Sequence, residues 1–553
     1  ISYPNNSTMN PLYNSVARER IPINSFPQGG ERKLSMKMGQ IVPIYCRETI
    51  PGDTFKAATE LLIKFAPLKA PVMHRIRAYV DYFFVPNLQV CKPFENFINP
   101  AVNTPDNPVV LPVITPAAIN AEGKLGIGSL ADYLDLPVQQ SAWAQSENSE
   151  PISVLPFRVY QHVYNQYFRD ETLQPLEGDP TTITLYQMAD IDKQGDVTED
   201  LEDSNQIDQM LSLRYSAWKK DYFTSALPTP QAGPDVEIPF TPGVIRADGP
   251  LQVEGSDTQL VTGSAAVNLY ATDEIGELGI PVSGSHNALE YSSGLEIQAV
   301  PGSGLTVNAF RMMFALQHFQ ELQSRGGKRY PEVTWNFFGV RLPDLYVDRP
   351  AYLGGMYQDV TVGEVLQTSQ STTGESGSAQ GYRAGVASLY GKTKTMRYRC
   401  KMHGFILGVL RVLPEAVYFQ GVERMWTRTS IYDYAWPQFG NIGEQEIFNR
   451  ELYVDGTAED KKVFGYGPRY ADWKDGCSHV NGEFRTSLRY WHFGRFFTER
   501  PLLNEAFIMA DQVSTDPFNV TDPTEDKLYV HMYTRASVRR ALPYWGTPGL
   551  SKL

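Results

Sequence analysis

The sequence predicts a mainly β protein, a two-sheet unit whose connections are expanded by long insertions. Three observations carry that expectation. Its 553 residues include 39 Pro, 44 Gly and 12% aromatics, and short strand-like runs lie between them, a loop-rich β composition rather than that of a helical bundle. A hydrophobic content of 42% supplies a core and excludes disorder across the whole chain. Strand-like runs stand near both ends, after Ile41 and after Leu528, so that first and last segments can share one core.

In chain order, residues 1–40 read as an extended arm, with Pro4, Pro11, Pro22 and Pro27 and little periodicity. Such an arm is expected to gain order by lying across neighbours. Three strands follow. In Gln40 to Ile50, Ile41, Pro43, Tyr45 and Arg47 alternate with Val42, Ile44, Cys46 and Glu48 before the turn Pro51-Gly52-Asp53. Thr59 to Phe65 is apolar between its ends, and Arg75 to Val85 carries Tyr79, Val80, Tyr82, Phe83 and Phe84 before Pro86 stops it. Their β-branched and aromatic content at seven to eleven residues favours strands over helices. Ser129 to Leu134 and Phe157 to Arg169 read as helices, the second with Val159, Val163 and Tyr167 in one apolar stripe.

From Gly178 to Leu305 the character changes, with Gly, Pro, Ser, Thr and Asp dominant and alternation only in pieces such as Val236 to Phe240. This window holds 20 acidic against 5 basic residues, a charge of −15, whereas the whole chain carries −13. The remaining 44 basic and 42 acidic residues therefore leave +2, and the acidity belongs to one insertion. Asn308 to Ser324 is the clearest helix, with Met312, Ala315, Leu316, Phe319 and Leu322 on one face and Gly326-Gly327 after it. Val333 to Val340 and Phe405 to Leu413 read as buried strands, Thr368 to Gly381 as a flexible loop, and Leu528 to Val538 as a long strand with two different faces. The expected organisation is an arm (1–40), a first β part with helical insertions (41–177), an acidic surface insertion (178–305) and the remainder of the β unit with a basic C-terminal segment (306–553).

No catalytic constellation stands out. There is no HExxH, phosphate loop or G-x-S-x-G elbow, so an enzyme is not expected. Cys46, Cys91, Cys400 and Cys477 form no CxxC pair and suggest neither a zinc ribbon nor a disulfide framework. No cofactor is implied, and the scattered His74, His403 and His492 suit hydrogen-bonded structural roles. Asp190, Asp192 and Asp196 match early positions of a calcium loop, but the twelfth position is Leu201, so a solvated acidic loop competes with a loose divalent-cation site. The sequence carries neither a signal-peptide pattern nor 18 successive apolar residues, and a reducing cytoplasm fits its thiols.

The basic residues are informative by position. Lys392, Lys394, Arg397, Arg399, Lys401 and Arg411 form a stretch with no acid, and the segment from Lys527 onward carries Arg535, Arg539, Arg540 and Lys552, again with no acid. Arg485, Arg489, Arg495 and Arg500 lie among aromatics, a mixture suited to stacking bases. Solvated faces and packed aromatics produce the same patterns without nucleic acid, and a pI of 5.2 argues against a free-standing DNA-binding protein.

Beyond these patterns, PGDTF, LIKFAPLKAPVMHRI, DYFFVPNLQV and FENFI, then LADYL, LPFRVYQHVYNQYFRDE, DYFTSALPTPQAGP, RGGKRYPE, GEQEIFNRELY, VFGYGPRY and RALPYWGTPGL, occur in an order that resembles the major capsid protein of Microviridae, the gokushovirus-like branch above all. Residue patterns alone leave a jelly roll and another two-sheet sandwich open; the resemblance implies an eight-stranded antiparallel jelly roll of the viral capsid type. It further implies self-assembly into an icosahedral shell around single-stranded DNA, formed in a bacterial cytoplasm. The implied partners are a small basic DNA-packaging protein, an internal scaffolding protein, a minor DNA-pilot protein and a host surface receptor met by the 178–305 insertion. No membrane is implied. The rival reading is a secreted carbohydrate-binding or carbohydrate-active β-sandwich, since 31 Tyr and 8 Trp can line a sugar groove. It requires a signal peptide and, for hydrolysis, paired carboxylates, neither of which is identifiable.

Overall fold

A computed structural model describes residues 22–99, 109–138, 143, 150–174, 204–231, 307–326, 330–341, 343, 349–366, 383–520, 522 and 524–545, with the backbone of short strands between 245 and 299. The chain divides into two compact units, one of Ile1–Pro230 with Ser324–Leu553 and one of Gln231–Gln323.

Eleven strands build the framework of the first unit. They are β1 (Asn24–Pro27), β2 (Gly30–Met36), β3 (Val42–Thr49), β4 (Thr54–Phe65), β5 (Ile76–Pro86), β6 (Ala351–Asp359), β7 (Thr361–Leu366), β8 (Arg383–Lys392), β9 (Met396–Arg399), β10 (Gly404–Pro414) and β11 (Leu528–Arg540). One antiparallel sheet has the order β1-β11-β4-β8-β7, with β2 also paired to β11 and β9 to β4; the other has the order β6-β5-β10-β3. Within the two sheets, β2-β11-β4-β8 faces β3-β10-β5-β6, so the last described strand lies between an early pair and early and late strands share one core, as a jelly roll requires. Against the eight strands expected, the two sheets hold eleven, seven in the larger and four in the smaller.

The core between the sheets follows from period-two alternation. From the larger sheet come Phe55, Leu61, Ile63, Val530, Met532 and Val538, and from the smaller Val80, Tyr82, Phe84, Ile406, Leu410 and Val412. Gly408 lets the Tyr82 ring lie against the β10 backbone, since a Cβ there would stand 2.7 Å from the ring. The Tyr82 hydroxyl then reaches Thr59 Oγ1 at 2.5 Å, and Thr59 Oγ1 lies 3.1 Å from Thr534 Oγ1, which satisfies three buried hydroxyls across the core.

The smaller sheet is covered on its other face as well. Phe83, Val85, Phe405, Leu407 and Val409 pack into a second core with Leu155, Phe157, Val159 and Tyr160 of helix α1 (Leu155–Val163). The Tyr160 hydroxyl donates to the Ile41 carbonyl at 2.8 Å, fixing helix to sheet. Beyond Val163 the chain makes one wide turn over Tyr164–Phe168 before the helix ends, close to the predicted boundary.

Two expectations are corrected, and one helix forms with its apolar stripe exposed. The region 24–36, read as arm, forms β1 and β2 and pairs with β11 along Asn24↔Arg540 and Gly30↔Thr534; its polar sequence disguised a strand with one solvent face. Residues 1–21 of that arm lie outside the described residues. Of Val333 to Val340, read as a buried strand, all but Gly339 and Val340 fall in the helix Tyr330–Phe338. A short apolar run does not distinguish the two by periodicity, whereas Pro331 in its first turn and Gly339, at φ +66° with its N–H on the Trp335 carbonyl, mark helix ends. The helix predicted from Asn308 does form, as Val307–Gly326, but its apolar stripe is not core: Met312, Leu316, Phe319 and Leu322 are exposed.

In the second unit the described backbone consists of most of the helix Val307–Gly326 and of antiparallel pairs. Tyr270–Ala271, Leu278–Val282 and Ser285–Ala288 form one small sheet, Val253–Glu254 pairs with Glu290–Tyr291, and Ile245–Ala247 pairs with Ile297–Ala299. The Val236 to Phe240 alternation and the Thr368 to Gly381 loop lie outside the described residues.

Candidate nucleic-acid interface

The larger sheet keeps one face open. Along β11 the burial alternates strictly in its first half, with Leu528, Val530, Met532 and Thr534 inward and Tyr529, His531, Tyr533 and Arg535 outward. Register carries this outward set across the sheet. Lys64 lies beside Tyr529 and Ser388. One row places Tyr390, Leu62, His531 and Lys33 side by side on β8, β4, β11 and β2; the next places Lys392, Glu60, Tyr533 and Glu31. Further along, Arg397, Lys56 and Ser537 share a row, and Arg399, Thr54 and Arg539 share another.

Outward positions of these strands thus bring together Lys33, Lys56, Lys64, Lys392, Arg397, Arg399, Arg535 and Arg539, against the acids Glu31 and Glu60. The acids are already engaged. Glu60 receives Lys392 Nζ at 3.0 Å and Arg535 Nη2 at 3.2 Å, and Lys392 foremost holds its carboxyl below the usual range. Glu31 is held low first by the His531 hydrogen bond and then by Lys33, whose Nζ is 3.5 Å away. Arg535 lies 5.9 Å from the Tyr533 ring centre. Cations on a flat surface with uncovered phenol rings are suited to a flexible polyanion that has stacking faces.

The structure divides the sequence-predicted basic residues. Lys392, Arg397, Arg399, Arg535 and Arg539 converge on the open face, and Lys394 and Lys401 are exposed in the turns flanking β9. Arg540 departs from its expected DNA-facing role: one residue after Arg539 it turns to the other side, with Nη2 2.6 Å and Nε 3.1 Å from Asp53 Oδ2, and Asp53 is wholly buried. Arg411 is likewise internal, between Asp81 at 3.7 Å and the rings of Tyr79 and Phe168, and Lys527 is buried on the Asp522 carbonyl. The Arg485 to Arg500 mixture is packing: Arg489 lies over Phe496 at 4.0 Å, Arg495 over Phe507 at 4.4 Å, and Arg500 pairs with Asp455 and Asp460. His74 and His492 bond to the carbonyls of Glu415 and Phe484. Lys33, Lys56 and Lys64 escaped sequence reasoning; the alternation of Thr54 to Phe65 was the signal that pointed Lys56 and Lys64 outward together.

Asp190, Asp192 and Asp196 lie outside the described residues, as does Lys552. Among the described residues, no group of acidic, His or Cys side chains is arranged to hold a metal, and no helix is long and apolar enough to cross a membrane. The four cysteines are free, Cys91 and Cys400 buried and Cys477 exposed.

A jelly roll with one covered sheet and one open basic face is an architecture found among viral capsid proteins, though not in them alone. The family model for "Capsid protein (F protein)" matches residues 15–550. The chain is 30% identical to the capsid protein VP1 of Chlamydia phage 1 over 99% of both chains, 31% identical to the capsid protein VP1 of Bdellovibrio phage phiMH2K over 93% of both, and 28% identical to the capsid protein VP1 of Spiroplasma virus 4 over 94% of both. The chain belongs to this phage capsid protein family, and it is a structural protein rather than an enzyme.

Proposed function

We propose that the chain is the major subunit of a closed icosahedral shell, and that the open face of its larger sheet is turned toward a single-stranded DNA genome. The observation that carries this reading is the convergence of eight basic residues from five strands on one face, where Glu31 and Glu60 are the acids at outward strand positions among the described residues. Closed shells arise from heterologous contacts that close by symmetry, and the relatives' VP1 names support a self-associating subunit. Assembly in the host cytoplasm, with a small basic packaging protein, an internal scaffolding protein and a DNA-pilot protein, belongs to the same proposal.

The acidic insertion 178–305 fits an outward position, because a segment of charge −15 repels a packaged polyanion. Its proposed role is an outward projection that meets the host receptor. The Arg535→Glu, Arg539→Glu double variant tests the inward face: negative-stain microscopy is expected to show closed shells that hold far less DNA than the parent. Unchanged DNA content in those shells overturns the orientation.

A further inference from the structure

The open face is not uniform along its length. Toward β9 it is cationic, with Arg397, Lys56, Arg399 and Arg539 and no acid in their rows, next to Arg535, which pairs with Glu60. Toward the other end it carries three exposed rings, Tyr390, Tyr529 and Tyr533, which are 67%, 49% and 44% exposed. There a hollow of about 510 Å³ opens, lined by Lys33, Ser35, Leu62, Lys64, Tyr529 and His531. Lys64 flanks Tyr529 on the neighbouring strand, and Lys33 flanks His531 on the other side.

Uncovered phenol rings and a leucine on a sheet face, set between lysines, suit a ligand with a flat apolar face and a negative charge on the same unit. An unpaired nucleotide has both. Duplex DNA offers phosphates but hides its base faces in the stack, and a cationic peptide is repelled by Lys33 and Lys64. We propose that this hollow is a base-binding subsite for single-stranded nucleic acid: one unpaired base lies against Tyr529 and Leu62 while its phosphates reach Lys33 and Lys64. The cationic end then holds backbone alone, so the face as a whole prefers single strands to duplex. The inference rests on the reading of this face as the genome-facing surface and specifies what it recognises there.

Two measurements test it. DNA-filled particles irradiated with ultraviolet light are digested and searched for nucleotide-bearing peptides; adducts on Tyr529 are expected. Full-length subunits, dissociated from shells, are then titrated with a labelled oligothymidine, an abasic strand of equal length and charge, and a duplex. Tyr529→Ala is expected to weaken oligothymidine binding about tenfold and leave the abasic strand unchanged, with Tyr529→Phe retaining the parental affinity. Arg535→Ala with Arg539→Ala weakens every probe. Equal affinity for oligothymidine and abasic strand in the parent, or adducts confined to other segments, overturns the subsite while the basic face stands. Indifference of every probe to the arginine variant overturns the genome-facing reading itself, and density of a second copy filling the hollow in assembled shells overturns both.

Discussion

The two facing sheets differ in how much of them is covered, and the difference separates architecture from recognition. In β10 every residue but one is buried, because helix α1 and its neighbours cover one face and the larger sheet the other. In β11 buried and outward residues alternate, because no described residue covers its second face. A strand enclosed on both sides is free to be apolar throughout, GFILGVLRVLP, whereas a half-covered strand has every second position available for other work. Charge and aromatic rings accumulate at those positions.

The largest test of this contrast is a pair of truncations. Phe84→Ala, in the enclosed sheet at 0% exposure, is expected to cost about 3–5 kcal/mol of subunit stability. Leu62→Ala on the open face is expected to stay within about 0.5 kcal/mol. Denaturant titration of dissociated subunits measures both, and similar losses for the two would abolish the distinction.

Next in size is a contrast within one strand. Arg540→Ala leaves the wholly buried Asp53 without its guanidinium and is expected to destabilise by about 3 kcal/mol. Arg539→Ala, on the open side, should leave stability nearly unchanged while lowering the salt dependence of DNA binding by about one ion. The opposite allocation would place the strand's faces the other way round.

Much of this was legible beforehand. The continuous run at Phe405 and the alternation at Leu528 announced their two environments, and the basic stretches from Lys392 and Arg535 were visible as charge without acid. What stayed hidden was register. Lys56 and Lys64 look unremarkable in Thr54–Phe65 until β4 is placed between β11 and β8, and nothing local separates Arg539 from Arg540 except which side of the strand each occupies. The strand β2 was missed because its outward residues Glu31, Lys33 and Ser35 are polar and its inward set includes Arg32, bound to the Tyr133 carbonyl at 2.8 Å. The basic-aromatic Arg485 segment misled in the other direction, since ring packing consumes its arginines.

A smaller effect comes from thiol chemistry. Burial pushes the Cys46 thiol of β3, beneath the helical layer, up to about 12, and that of Cys400 up to about 11. The thiolate is the reactive form, so alkylation of Cys46 at pH 8 should be very slow and rise about tenfold per pH unit toward its pKa. Cys477, exposed, is expected to react first of the four. Fast labelling of Cys46 near neutrality would show that the helical layer does not seal the smaller sheet.

The central claim, that the uncovered face of the larger sheet meets the genome, is tested most directly by a cryo-electron density map of the filled particle. The account predicts Tyr529, Arg535 and Arg539 on the inner surface with nucleic-acid density against Lys33 and Lys64. That face turned to the exterior, or buried under a neighbouring subunit, would contradict it.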